Sequence, residues 1–350
     1  MWRSAGFMIV ACLLLLVASP GAGGARAAAL DIGAWTAYKA KFMGPDGRIV
    51  DDGNHGISHS EGQGYGLLLA YLAGQIADFE QIWSFTRTEL LVRDDGLAAW
   101  SWDPAAKPHV TDINNASDGD LLIAYALALA GRAWNRNDFL EEARRIAQAL
   151  LDRAVIEQGD RTLLLPGVAG FAAADRKDGP IVNPSYCIFE AFSVLNDLVP
   201  SPKWQALNDS CLALLQEAQF GPKLLPAEWV SVMAKPQPAE GYPAEFGYNA
   251  LRIPLYLVRG NVGDRSLLTR LRDGMTGPGG TVALVDLPAC TVEKTLDDPG
   301  YLFVYHLVAC VIDGTKIAAP VAHFAPTLYY PSTLHLLGLA YIAANHPECL

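Results

Sequence analysis

Helical stretches that are apolar on every side alternate along this chain with stretches that carry a polar stripe. Residues 64–75, 118–134, 186–198 and 248–258 are of the first kind. Residues 79–91, 138–155, 203–219 and 264–275 are of the second, and 301–312 and 332–344 continue the series. A helix apolar all round has to be buried, whereas one with a charged stripe meets water. In 138–155 the wet stripe is Glu141, Glu142, Arg144 and Arg145. The alternation predicts an all-α fold with an inner ring of helices sheathed by an outer ring. No sequence motif repeats at a fixed period, which argues against a regular solenoid. The links at 94–115, 166–184, 225–247 and 277–300 are long and rich in Gly, Pro and Asp. Loops of that length in a compact domain usually carry function. The Val/Leu-rich stretch 281–287 is short enough to leave room for a small β element.

The amino terminus reads differently. Arg3 gives a positive start, residues 7–18 are apolar, and Pro20 and several glycines lead to Ala27-Ala28-Ala29. That order is a secretory signal peptide, and its apolar run falls short of the ~20 residues a membrane span needs. The expectation is a leader over residues 1–29 and a single domain over 30–350, exported to the periplasm or beyond, with no membrane insertion after cleavage. Losing the leader removes Arg3 and Arg26 and no acid, so the formal charge moves from −11 to −13. An acidic surface argues against nucleic acid and anionic membranes as partners and is compatible with a neutral polymer. Five cysteines remain after the leader, at 187, 211, 290, 310 and 349. Their odd number cannot pair fully, and no CxxC spacing suggests zinc. Several lie in apolar helical stretches, where packing as small hydrophobes is the expectation.

Two dense polar segments stand at the entrances of apolar helices. In Ser60-Glu61-Gly62-Gln63-Gly64-Tyr65-Gly66, a carboxylate sits among three glycines ahead of an apolar run. Apolar walls would raise the Glu61 pKa, as a general acid near neutral pH requires, and the glycines would let a large ligand approach the backbone. A Glu complementing a helix dipole explains the same residue more plainly. In Asn114-Asn115-Ala116-Ser117-Asp118-Gly119-Asp120, Ser117 or Asp118 could cap the helix. Two acids and two amides exceed what a cap requires and could line a sugar site.

Aromatic residues point the same way. Trp100 and Trp102 lie on the loop before the second acidic segment. Aromatic rings suit the apolar C–H faces of sugars. Tyr65, Tyr186, Trp229 and Tyr330 stand at helix or loop edges and could reach a cleft or pack in the core, while Trp83 and Trp134 have core spacing. His55 and His59 are four apart, but the Gly- and Asn-rich stretch around them reads as loop, so no metal site is expected. No cofactor is expected either. GxGxxG, P-loop, HExxH and GxSxG patterns are absent from the sequence.

The run from Ala116 through Asp118, Asp120 and Tyr125 to Leu127, ending at Trp134, resembles the signature of glycoside hydrolase family 8. The stretch 60–66 is similar to that family's acid segment. Asn183-Pro184-Ser185-Tyr186, Pro226-Ala227-Glu228-Trp229 and Tyr329-Tyr330-Pro331-Ser332 resemble further blocks, in order along most of the chain. The likeness is greatest to periplasmic endoglucanases that accompany bacterial cellulose synthases. The resemblance implies an (α/α)6 barrel whose cleft takes a β-1,4-linked glucan chain, an inverting mechanism, and the cellulose synthase machinery as a possible partner. It implies Glu61 as general acid and Asp118 as the acid that grips the distorted sugar. It gives Arg252, one helical turn from Asn249, the holding of a base or water network; a surface salt bridge is the plainer reading of that arginine. Inverting enzymes set their two carboxyls roughly 6.5–9.5 Å apart to admit a water.

One departure stands out. Asn249 occupies the place where many cellulases of the family carry the Asp that serves as base. Three readings are open: another carboxylate (Asp118, Asp120, Glu228 or Glu245) is the base; Asn249 orients the water beside Asp118; or the chain binds glycan without cleaving it. Xylan, mixed-linkage glucan or chitosan are alternative polymers for the same fold.

Overall fold

The two kinds of helix sort into two layers, and burial is what sorts them. The computed structural model describes residues 1–2 and 29–350, so the expected leader falls, save for its ends, outside the described residues. The helices are α1 Ile32–Phe42, α2 Ser60–Leu72, α3 Ile76–Phe85, α4 Ser117–Ala133, α5 Asn137–Arg153 and α6 Phe189–Leu198, followed by α7 Pro202–Glu217, α8 Ile253–Arg259, α9 Arg265–Gly274, α10 Pro299–Asp313, α11 Ala319–Ala322 and α12 Tyr329–Asn345. Every residue of α4 from Ser117 to Ala128 is buried. Its neighbour α5 buries only Phe139, Ala143, Ile146, Ala147, Ala149, Leu150 and Leu151, essentially one face at helical spacing.

The even-numbered helices pack each on the next, α2 on α4 through to α10 on α12, and α12 returns to α2 to close the ring. Outside them, α3 packs on α2, α5 on α4, α7 on α6 and α9 on α8. With α1 against α12 and α11 against α10, the described residues give six inner and six outer helices, an (α/α)6 barrel: the two rings are as the alternation predicts, and the sixfold count is as the resemblance implies. Helices α1 and α11 are additions to the expected set. Tyr38 of α1 joins Thr333 of α12 through their hydroxyls at 2.8 Å. No helix among the described residues is long and apolar enough to cross a membrane.

Small antiparallel sheets occupy the loops. Strands β1 Ser58–His59 and β2 Ser101–Trp102 pair; β3 Val155–Gln158 and β4 Arg161–Leu164 form a hairpin; and β5 Ile181–Val182, β6 Val230–Ser231 and β7 Gln237–Pro238 make a third group. In the fourth, β9 Val282–Asp286 runs between β8 Glu245–Phe246 and β10 Thr291–Leu296, with Glu245 opposite Asp286. The stretch 281–287 therefore does supply a strand.

Two expectations need correction. The glycines of the 60–66 segment do not open the backbone to a ligand. A Cβ on Gly64 would lie 2.5 Å from Leu122 Cβ, one on Gly66 would lie 2.6 Å from Ile49, and one on Gly119 would strike Ser60 Oγ at 2.1 Å. Gly64 and Gly119 are the places where α2 and α4 come into closest contact, and Gly66 makes room for Ile49. The cysteines, too, are more than small hydrophobes. Cys187 is bonded to Cys211 and Cys310 to Cys349, with Cα atoms 6.0 and 6.1 Å apart, while Cys290 is free. Helix packing sets which cysteines meet, and sequence spacing does not carry that information.

Candidate active site

A cleft of about 610 Å³ opens where α2, α4 and α12 begin, beside the short 3-10 turn Asn249–Arg252 that leads into α8. Glu61, Trp100, Asp118, Tyr186, Asn249 and Tyr330 all line it. The sequence thus marks six lining residues drawn from six separate segments.

The acids reach the cleft because the two helices meet so closely. Glu61 stands in the first turn of α2, which begins four residues earlier than its apolar run suggests. His59 caps that turn, its Nδ1 accepting from the Gly62 N–H at 2.9 Å and its Nε2 facing Asp51 Oδ2 at 3.3 Å. Asp118 occupies the corresponding turn of α4, and its Oδ1 accepts from the Gly119 N–H at 2.8 Å.

Between the two acids lies Arg252, whose side chain is wholly buried. One guanidinium nitrogen donates to Glu61 Oε2; the other donates to Asp118 Oδ2 at 2.6 Å and to Ser185 Oγ at 3.2 Å. Ser185 is held in turn by Asn183, whose Oδ1 accepts from both its N–H and its Oγ. The Tyr186 ring lies 5.5 Å from the guanidinium carbon, within cation–π range. This corrects the apolar niche expected for Glu61 and the surface salt bridge weighed for Arg252: a cation, fully desolvated, stands against the acid. Burial pushes the Asp118 carboxyl up to about 6; Arg252 opposes the rise and the nearby Glu61 charge adds to it.

Asp120 and Trp102 go elsewhere. Asp120 is buried behind α4, where its Oδ1 accepts from the Ala98 N–H at 2.8 Å and its Oδ2 from Asn115 Nδ2 at 2.9 Å. Asn115 Oδ1 accepts from the Val168 N–H, and Asn114 Nδ2 donates to the Ala169 carbonyl. The surplus of polar groups at 114–120 therefore ties two loops to α4 and does not line the cleft. Desolvation lifts the Asp120 carboxyl to about 7, against the two hydrogen bonds it accepts. Trp102 stacks on His109 at 4.2 Å with Arg48 over its ring, and its indole N–H donates to Glu89. Trp100 alone of that pair faces the cleft, its indole N–H held by Asp112 at 2.9 Å.

Opposite in character is the part of the site around Asn249. Glu228, almost buried, grips it twice: Oε1 accepts from the Asn249 backbone N–H at 2.6 Å, and Oε2 accepts from Nδ2 at 3.2 Å. Burial, a hydrogen bond with Glu293 and the charges of Glu228 and Asp286 push the adjacent Glu245 carboxyl up to about 7. Tyr330 donates its hydroxyl to the Tyr248 carbonyl at 3.0 Å, and Lys294 reaches the Tyr248 hydroxyl at 2.8 Å.

Sequence reasoning missed Asp51, Tyr248, Tyr301, Tyr329 and Lys294, and it considered His59 only as a metal ligand; all six line the cleft. Tyr329 stands beside Tyr330 in a block already singled out. Nothing local marks Lys294, which arrives by the hairpin of β9 and β10. The assembled site offers a half-buried carboxyl, a buried carboxyl sharing its cation, and walls of aromatic rings. Such a site can deliver a proton to a bound ring with apolar faces.

Comparison with known proteins adds the following. The family model described as glycosyl hydrolases family 8 matches residues 6–272. A probable endoglucanase of Novacetimonas hansenii is 36% identical over 315 residues, which is 88% of this chain and 89% of that protein. The crystal structure of a family 8 endoglucanase from Klebsiella pneumoniae superposes with a TM-score of 0.79 at 32% identity, covering 89% of this chain and 98% of that one. An endo-beta-1,4-glucanase of Acetobacter xylinum gives a TM-score of 0.79 at 33% identity, over 91% and 98% of the two chains.

Proposed function

The chain belongs to glycosyl hydrolases family 8, and we propose that it cuts β-1,4-glucan internally with inversion, Glu61 protonating the departing oxygen. The observation that carries this reading is the trio Glu61–Arg252–Asp118 on the wall of an aromatic-lined cleft. One guanidinium against two carboxylates leaves an excess negative charge in a desolvated place. Burial, opposed by Arg252 and reinforced by the Glu61 charge, pushes the Asp118 carboxyl up to about 6. Glu61 is the more exposed member, at 15% of its side chain against 2% for Asp118. A glycan lying in the cleft meets Glu61 first, which suits that carboxyl to the donor's role. Asp118 has both oxygens engaged, one by the Gly119 N–H and one by Arg252, which suits a fixed acceptor for a sugar hydroxyl better than a base.

Trp100, Tyr186 and Tyr330 would hold the sugar rings by their faces. Inversion further requires a water activated from the other side of the ring, and Asn249 is the cleft residue at the family's base position. We place the enzyme outside the cytoplasm, beside a glucan-synthesising apparatus. Two disulfides among the described residues support an oxidising compartment. Carboxymethylcellulose and defined cello-oligosaccharides supply the test, with the anomer of the new reducing end followed by NMR. Release of α-anomer from internal bonds is expected. β-Anomer would overturn inversion, and no cleavage at all would overturn the reading.

A further inference from the structure

We propose that Asn249 works as a proton relay whose terminal acceptor is Glu228. The proposal rests on the glucanase reading above and addresses the step that reading leaves without a carboxylate. An amide oxygen is too weak a base to take a proton from water and keep it near neutral pH. It can take one while its own nitrogen gives one up. Asn249 lines the cleft and Glu228 does not. The Glu228 carboxylate holds Asn249 at two points, the backbone N–H on Oε1 at 2.6 Å and Nδ2 on Oε2 at 3.2 Å. The amide nitrogen is thereby turned toward Glu228, and among the described residues nothing donates to Oδ1.

The balance is as follows. A water lone pair forms the bond to the anomeric carbon while the bond from that carbon to the glycosidic oxygen breaks, and Glu61 supplies the proton that oxygen takes. The proton leaving the water goes to Asn249 Oδ1, and an Nδ2 proton passes to Glu228 Oε2, leaving the side chain as its imidic acid tautomer. Glu61 has then lost one proton and Glu228 has gained one. Return of the Nδ2 proton, and loss of the Oδ1 proton to solvent, resets the amide.

The surroundings of Glu228 fit a proton acceptor. A Cβ built on Gly247 would stand 2.5 Å from Glu228 Oε1 and 3.0 Å from Glu245 Oε1, so both carboxyls face one glycine. Behind Glu245 stand Glu293 and Asp286, and the nearby Lys294 is engaged with the Tyr248 hydroxyl. A cluster this acidic welcomes a proton, as the raised Glu245 carboxyl shows. Glu245 is only partly buried.

The test compares turnover of carboxymethylcellulose by wild type, Glu228→Gln, Asn249→Asp and the double variant. The relay predicts that Glu228→Gln costs about 100-fold or more in kcat in the wild-type background. An Asp at 249 takes the proton itself, so in that background the same change should cost no more than about threefold, a loss that geometry alone can produce. Equal losses in both backgrounds would mean that Glu228 only props up residue 249, and the relay would be wrong. A loss under about fivefold in the wild-type background overturns it as well. Azide attacks without shedding a proton, so it should restore turnover to Glu228→Gln, and no rescue counts against the relay. Should Glu228→Gln not fold, Asn249→Ala carries the same prediction with Glu228 in place: a large loss, recovered by azide. Full activity in that variant would refute the proposal. A wild type that releases no reducing ends removes the glucanase reading and the relay with it; an active wild type with indifferent variants removes the relay alone.

Discussion

The two sides of the cleft manage negative charge in opposite ways. Where α2 meets α4, two carboxylates share one sealed arginine, and the contact is so close that Gly64 and Gly119 leave no room for a methyl group. Around residues 228–252 and the sheet of β8, β9 and β10, Glu228, Glu245, Glu293 and Asp286 crowd together with no buried cation paired to them among the described residues, and an exposed Lys294 stands near them. The first arrangement fixes geometry, since a buried pair cannot drift without leaving a bare charge behind. In the second, burial and crowding push the Glu245 carboxyl up to about 7. A site that must hold one reactant still and move protons on demand uses both.

The sharpest way to break this contrast is Glu61→Gln, expected to lower kcat by about 10²–10⁴ while circular dichroism stays that of wild type. A variant within tenfold of wild type would place the proton donor elsewhere. Arg252→Ala tests the claim that the rigid side depends on its cation. Removing one partner from a buried charge network costs about 3–5 kcal/mol, measurable by urea unfolding, and a loss below about 1 kcal/mol would contradict it. Gly119→Ala probes the helix contact by forcing a methyl onto Ser60 Oγ. Overpacking there should cost about 1–3 kcal/mol and lower activity with it.

A smaller effect comes from Asp120, whose carboxyl burial pushes up to about 7 from its ordinary 3.8. The folded state binds that proton more tightly than the unfolded one. Its contribution to stability is therefore complete below about 3.8 and is lost as pH rises through about 7. Unfolding of wild type compared with Asp120→Ala across that window should show the difference, and no pH-dependent gap would remove the desolvation argument. Smallest is Lys294→Ala, within about 0.5 kcal/mol in stability because the side chain is exposed. Any change should fall on KM and leave kcat alone.

These residues also show what a sequence can and cannot disclose. The ring was legible because burial on all sides leaves a compositional trace along a whole helix. Glu61 and Asp118 were legible because each opens such a helix. The glycines misled: a missing side chain announces space without saying whether a ligand or another helix fills it. Arg252 carried no mark of its burial, since its two partners lie 134 and 191 residues away. Asp120 and Trp102 sit two residues from cleft-lining neighbours and yet face away: two residues along a helix rotate a side chain by about 200°, and Trp100 lies outside the strand that carries Trp102. The disulfides span 24 and 39 residues, and only the packing of the turn ending at Cys187 on α7, and of the turn Pro347–Cys349 on α10, decides those meetings.

The ring closes through its final helix. Tyr329 and Tyr330 of α12 line the cleft, the Tyr329 N–H is held by Asp52, and Thr333 meets Tyr38 of α1. During synthesis the acid, the arginine and the amide therefore all emerge before the wall that completes their enclosure. A nascent polypeptide stalled ahead of residue 329 would own every reacting group and still be unable to seat a sugar. Enclosure of the cleft therefore depends on α12, a helix that follows Glu61, Asp118, Asn249 and Arg252 along the chain.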